Sequence, residues 1–240
     1  MSAKNLSINT QARILIVAPH PDDESIGCGG VMLKYGRQCE VLLLTDGRRG
    51  HAPGVPIDEE QLVQQRAEEL RCAAAIAGIK QVHMLGIPDG TLRQNEDRVS
   101  TFDITPYDCL FVPNHLERHP DHAPVLKIIQ KMCRKQHASA QIYEYEVWSP
   151  IPCPTDALDL TNLMDRKLEM VRQYQSQTRL MNYEAMTEAL NRYRGVGQKT
   201  TYAETYALVP QLSTGRRIFR KLPQPVQAII RNVIGKSASS

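Results

Sequence analysis

An imidazole and three carboxylates fall within five residues at His20-Pro21-Asp22-Asp23-Glu24, directly after the apolar run Ile14-Leu15-Ile16-Val17. A second cluster, His119-Pro120-Asp121-His122, comes shortly after another apolar run, Leu110-Phe111-Val112. Imidazole and carboxylate are the groups that hold a catalytic zinc, typically three to an ion with a fourth position open to water. His20, Asp23 and His122 would supply two imidazoles and one carboxylate. An ion so held keeps one net positive charge and lowers the pKa of its water to about 7, which makes hydroxide available at neutral pH. Iron(II) is compatible with the same ligands.

The remaining polar residues of the two clusters suit the steps around such an ion. Side chains of the adjacent Asp22 and Asp23 diverge in an extended or turning backbone, so Asp23 can bind the ion while Asp22 faces the water as general base. His119, three residues before His122, is placed to act as general acid or to stabilise an oxyanion, and Asp121 to hold the ring in one tautomer. Positioned groups of this kind typically contribute about 10²- to 10⁴-fold each. Either cluster alone reads more readily as a capped turn or a helix start than as a site; their pairing, each after a strand, points to one site.

Strands are expected at Ile14–Ala18, Glu40–Thr45, Gln81–Leu85, Leu110–Val112, Gln141–Val147 and Thr205–Val209, with helices between them. The alternation predicts an α/β fold with a mostly parallel sheet covered on both faces, whose ligands gather at the C-terminal ends of the strands. A helix is expected from Asp58, as N-cap, to Ile76, with Val63, Ala67, Leu70, Ala74 and Ala77 on its apolar stripe and Gly78 as its stop. Asp46–Pro56 is rich in Gly and Pro and follows the second strand, so it reads as a solvated connection or as a lid over the same rim. Arg48, Arg49 and His51 in that loop are candidates for meeting a substrate phosphate.

A length of 240 residues with 42% hydrophobic and 23% charged residues suits one sizeable domain and excludes intrinsic disorder. We expect that domain over residues 1–210. The six cysteines form no CxxC pair and read as reduced, packed thiols. Met1–Ala12 is polar and no apolar run is long enough to cross a bilayer, so a cytoplasmic location is expected. The net charge of +3 includes six Arg and Lys after the last acidic residue, Glu204, which leaves the body at −3 and argues against nucleic acid as partner. Residues 211–240 are a basic tail in which Val226, Ile229, Ile230, Val233 and Ile234 fall on one helical face. Such a face docks on the body or on a second subunit of a homo-oligomer, or lies on an anionic membrane.

The pairing of PHPDDE with HPDH resembles the PIG-L (LmbE-like) family of zinc-dependent de-N-acetylases. The resemblance extends through Gly27-Cys28-Gly29-Gly30, Leu44-Thr45-Asp46-Gly47, Arg66-x-x-Glu69, Pro88-Asp89-Gly90 and Lys167 to Gln177, and covers most of Ile14 to Leu208. It implies a Rossmann-like sheet and hydrolysis of an N-acetyl group from a glucosamine-type small molecule. By motif position it puts the metal ligands on His20, Asp23 and His122, the base on Asp22, the second-motif pair on His119 and Asp121, and a sugar-binding arginine on Arg66. Arg66 borders the apolar stripe of its helix, where Glu69 at i+3 could brace it. Pro19 and Ala123 depart from the family pattern, the latter standing where a basic residue is often found.

Two other readings compete. The same metal machinery could hydrolyse a larger amide conjugate. Gly27-x-Gly29-Gly30 after the first strand suggests a nucleotide-binding module, although its spacing is not GxGxxG.

Overall fold

The chain, described from a computed structural model over residues 3–54 and 56–210, builds one eight-stranded sheet. The strands are β1 (Lys4–Asn5), β2 (Ile14–Ala18), β3 (Cys39–Thr45), β4 (Val82–Ile87), β5 (Cys109–Pro113), β6 (Gln141–Tyr145), β7 (Asp156–Asp159) and β8 (Ala203–Leu208). Their spatial order is β1-β7-β8-β6-β5-β2-β3-β4. All pairings are parallel except those of β8 with β6 and with β7. The α/β class and the mostly parallel sheet are as expected. The short β1 and β7 were not expected, and neither KN nor DALD carries the β-branched or aromatic run that marks a strand.

The chain runs outward from β2 through β3 to β4, then returns to the other side of β2 as β5. The order therefore reverses between β2 and β5, and the loops after those two strands diverge to leave a crevice at their C-terminal ends. Both histidine-bearing clusters follow these two strands.

Central strands are buried on both faces. Ile14, Ile16 and Ala18 of β2 join one core cluster with Val41 and Leu43 of β3 and Cys109 and Phe111 of β5. The alternate residues Leu15, Val17, Leu42, Leu110 and Val112 are equally buried and face the other way. Helices α1 (Asp23–Tyr35), α2 (Glu59–Ile76), α5 (Met164–Arg172), α6 (Gln175–Thr178) and α7 (Tyr183–Gln198) pack among themselves, while α3 (Glu96–Ser100) packs with α4 (Val125–Gln136). Among the described residues no helix is long and apolar enough to cross a membrane. The basic tail lies outside the described residues.

Three local features differ from expectation. Helix α2 is capped by Asp58, which accepts from the backbone N–H of Glu60 and Gln61, and it closes at Gly78 with φ +75°. Its buried face, however, is Leu62, Arg66, Glu69, Leu70, Ala73 and Ala74, so the stripe is rotated and Val63 lies at its margin. Two charged residues occupy the inner face, and a count of apolar positions alone cannot find such a face. The glycines of the GxGG run are not a phosphate cradle. They lie inside α1, where a Cβ on Gly27 would come within 2.2 Å of the Tyr145 ring and one on Gly30 within 2.2 Å of Leu160. They let α1 approach its neighbours closely, which removes the sequence basis of the nucleotide-binding reading. All six cysteines are free, but Cys72 and Cys153 are exposed rather than packed.

Candidate active site

The turn after β2 is held in an unusual conformation. Asp22 has φ 131° and ψ −31°, a region that favours glycine and costs a side-chain-bearing residue about 1–3 kcal/mol. Neighbouring groups compensate. Thr45 at the end of β3 donates its N–H and hydroxyl to Pro19 O at 2.9 and 2.7 Å. Arg66 Nη2 donates to Pro21 O at 2.7 Å, and Asp22 N–H donates to the buried Glu24 carboxylate at 3.2 Å. Glu24 in turn accepts from the hydroxyls of Ser25 and Tyr174. The kink turns the adjacent carboxylates apart, Asp22 towards Arg66 and Asp23 towards the histidines.

His20 Nδ1, Asp23 Oδ2 and His122 Nε2 form a small triangle. The His20–His122, His122–Asp23 and His20–Asp23 sides are 3.1, 3.1 and 3.3 Å. A tetrahedral ion with bonds of about 2.0–2.1 Å sets its donors about 3.3–3.4 Å apart, so the residues fit one divalent cation. His119 offers a nitrogen within 4.8 Å of His20 and His122, and Asp89 and Asp121 make a second such group with His20. The triangle with Asp23 is tighter and matches the tetrahedral edge better.

The electrostatics favour a cation there as well. Asp22, Asp23, Glu24, Asp89, Glu117 and Asp121 are all buried, whereas Arg66 is the buried arginine among them. Burial opposes a charge on His20, but hydrogen bonds to Asp121, Asp23 and Asp89 outweigh it and raise its pKa well above the usual value. Burial likewise opposes charge on Asp23, yet His122 and His20 hold its carboxyl below the ordinary range. The cluster is built around positive charge.

Outside the triangle the roles are distributed differently from the sequence expectation. Asp121 was expected to fix the His119 ring. Its carboxylate instead lies 3.3 Å from His20 Nε2 and accepts from the N–H groups of Gly90 and Leu92 at 2.6 and 3.1 Å. Asp89 lies on the same His20 nitrogen at 3.2 Å. His119 stands edge-on to His20 with ring centroids 4.6 Å apart, and its Nδ1 accepts the Asp121 backbone N–H at 3.3 Å. Burial and the neighbouring His20 and His122 lower the His119 pKa, so the ring is neutral near pH 7.

Arg66 is buried at 3% exposure and clamps the turn: Nη1 donates to Gly47 O at 2.9 Å and Nη2 to Asp22 Oδ2 at 3.1 Å. Glu69 does not brace it, because the Glu69 carboxylate accepts from Ser176 N–H and hydroxyl and from Gln65. A segment distant in sequence competes for that carboxylate, which helical spacing cannot reveal. Asp22 Oδ1 has no protein partner among the described residues. Burial pushes the Asp22 carboxyl up to about 8, with Arg66 pulling it down and Asp23 adding to the rise.

A cleft of about 250 Å³ opens on the triangle, lined by His20, Asp22, Asp23, Arg66, Asp89 and His119 together with Arg49, Gly50, Trp148, Gln177 and Tyr183. The structure separates the two loop arginines. Arg49 lines the cleft, and its N–H donates to Asp89 at 3.2 Å. Arg48 is turned away onto Asp46 and Glu59, at 2.7 and 3.3 Å, and the His51 ring lies 3.1 Å from the Ala52 carbonyl. The sequence reading missed Trp148 and Tyr183, which pack edge to face with ring centroids 5.8 Å apart, and gave no role to Asp89 or Glu117. The Pro88-Asp89-Gly90 turn after β4 was a usable signal for Asp89; Glu117 had none.

Known proteins resemble this chain in sequence and in fold. Residues 15–133 match the family model described as PIG-L, GlcNAc-PI de-N-acetylase. A diacetylchitobiose deacetylase of Thermococcus kodakarensis is 37% identical over 91 residues, which are 37% of this chain and 34% of that one. This chain thus spans about a third of that relative's length. Among solved structures, an N,N'-diacetylchitobiose deacetylase of Pyrococcus horikoshii superposes with a TM-score of 0.71 at 22% identity over 83% of this chain and 84% of that one. The 4-carboxy-2-hydroxymuconate hydratase GalB of Pseudomonas putida reaches 0.64 at 21% identity over 83% and 97%. The fold therefore houses more than one chemistry, and the site must carry the functional argument.

Proposed function

Because this chain belongs to the PIG-L (LmbE-like) family, we propose that it is a metal-dependent hydrolase that removes the N-acetyl group from an N-acetylglucosamine-type conjugate. The products are acetate and a free amine. The observation that carries the proposal is the triangle of His20 Nδ1, Asp23 Oδ2 and His122 Nε2 beside an Asp22 carboxylate with one oxygen free. A divalent cation in it, zinc by the donor set and with iron(II) compatible, would supply Lewis acidity to a water and to the amide carbonyl.

The residues around that position divide the proton work. Arg66 holds Asp22 Oδ2, which leaves Oδ1 to take a proton from the water that attacks the carbonyl carbon. His119 accepts a backbone N–H at Nδ1, so its neutral ring carries the proton on Nε2 and donates a hydrogen bond to the developing oxyanion. Asp22 then returns its proton to the nitrogen as the C–N bond breaks. Its raised pKa suits a carboxyl that must both take and release a proton near neutrality, whereas the lowered pKa of His119 does not suit a proton donor to the amine.

Arg49 offers a cation at the cleft, which supports a phosphate on the substrate, as in a sugar nucleotide or a sugar-diphosphate lipid. Arg49→Ala is expected to raise KM for a phosphorylated sugar about 10-fold or more while sparing a neutral one. Arg48→Ala is expected to change neither, its guanidinium being occupied by Asp46 and Glu59. Equal effects of Arg49→Ala on both substrates would discard the phosphate. The proposal extends to a cytoplasmic location, with a second subunit or an anionic bilayer as the partners that the basic, amphipathic sequence of residues 211–240 would suit.

A panel of acetylglucosamine conjugates, assayed for acetate and free amine with and without chelator, tests the reading. Chelator-sensitive release of both in equal amounts is expected. Amine released with a larger acid would transfer the assignment to an amidase of bigger conjugates, and no amide cleavage from any conjugate would end the hydrolase reading.

A further inference from the structure

Two buried atoms face each other behind the site with no hydrogen-bond partner among the described residues: His122 Nδ1 and Glu117 Oε2. They are 4.0 Å apart, and both side chains are fully screened from solvent. His122 turns its Nε2 into the triangle, so a neutral ring bound through that atom must carry its proton on Nδ1. A buried N–H needs an acceptor, and Glu117 Oε2, itself unpaired, is the buried acceptor that faces it, a shift of about 1 Å short of a hydrogen bond. His20 is backed in the same way, its Nε2 lying against Asp121 and Asp89.

Glu117 has a second attachment. Its Oε1 accepts the backbone N–H groups of Val147, Trp148 and Ser149 at 3.2, 2.8 and 3.0 Å. One carboxylate therefore faces a ligand imidazole across 4.0 Å on one side and holds the loop that carries the aromatic wall of the cleft on the other.

We propose that Glu117 is a positioning residue that fixes His122 in the Nδ1–H tautomer and ties the metal cage to the Trp148 loop. This rests on the reading of the triangle as a metal site. Carboxylates that orient ligand histidines typically account for about 10- to 100-fold in metal affinity. Glu117→Gln separates the two attachments, because its amide oxygen still accepts from the loop while its NH₂ meets the His122 N–H donor to donor.

The test loads the full chain with zinc alone and measures affinity by chelator competition, together with emission from Trp148, the only tryptophan in the chain. For Glu117→Gln, zinc affinity should fall about 10- to 100-fold with Trp148 emission and melting temperature of the metal-free protein unchanged. Glu117→Ala should weaken zinc similarly and also shift the emission. Zinc held by Glu117→Gln as tightly as by the parent overturns the proposal and leaves Glu117 a loop anchor only. Long-range ¹H–¹⁵N spectra of the zinc-loaded parent give a readout that no folding defect can imitate. A His122 Nδ1 proton in slow exchange supports the role; protonation at Nε2, or an Nδ1 proton in free exchange with water, rejects it. Substrate is absent throughout, so failure to release acetate would sink the deacetylase assignment alone, whereas a parent that binds no zinc would sink the metal reading and this one with it.

Discussion

Asp22→Asn is expected to lower kcat by about 10²- to 10⁴-fold while the protein keeps its fold and its full complement of metal. The amide fills the same volume and still accepts from Arg66 Nη2, so the clamp on the turn is retained. What disappears is a group that can take a proton at Oδ1. Because Asp22 is also proposed to return that proton to the amine, both halves of the reaction lose their carrier and KM should move far less than kcat. Steady-state kinetics beside metal analysis decides the matter: a variant within a few-fold of the parent would remove Asp22 from the proton path. The backbone gives an independent check. At φ 131° a Cβ is strained, so Asp22→Gly should be more stable than Asp22→Ala by about 1–2 kcal/mol in denaturant unfolding.

Asp23→Ala is expected to abolish both metal retention and turnover. Its Oδ2 is the one anionic corner of the triangle and also accepts the His20 backbone N–H at 2.8 Å. Without it two imidazole nitrogens face each other at 3.1 Å with no anion between them. Metal content should fall to background, and added zinc should not restore activity. Chelation should lower the melting temperature of the parent, since an ion bound to the native state stabilises it, and leave Asp23→Ala unmoved. A variant that still carries one metal per chain would place the ligands elsewhere, with His119 or the Asp89–Asp121 pair as the next candidates.

Legibility in the sequence followed the range of each interaction. The strands β2, β3 and β5 were read closely because runs such as ILIVA bury both faces and leave little ambiguity of period. The two clusters were legible because each is contiguous and each directly follows such a strand. What the sequence could not show is pairing across the molecule. Asp121 lies two residues from His119 but serves His20, about a hundred positions away. Glu69 sits at helical spacing from Arg66 but serves Ser176. Arg48 and Arg49 are neighbours of one chemical type, yet Asp46 and Glu59 hold the first away from the cleft that the second enters. Helix α2 was mis-rotated for a related reason: its inner face is partly charged because it borders the site, and polarity there was read as exposure.

The glycines of α1 set a limit on how the protein can be divided. A Cβ on Gly29 would come within 2.7 Å of Lys167, and Gly30 donates its N–H to Glu204, which pairs with Lys167 at 2.6 Å. Tyr145 reaches from the other side to donate to Val17 O at 2.9 Å. The helix that begins with Asp23 is thus seated on residues 145–204, all beyond the stretch that matches the family model. A fragment trimmed to residues 15–133 would keep every ligand yet leave the underside of α1 bare, with Gly27, Gly29 and Gly30 in its exposed middle as helix-weakening positions. The second half of the chain is the foundation on which the first half's chemistry stands.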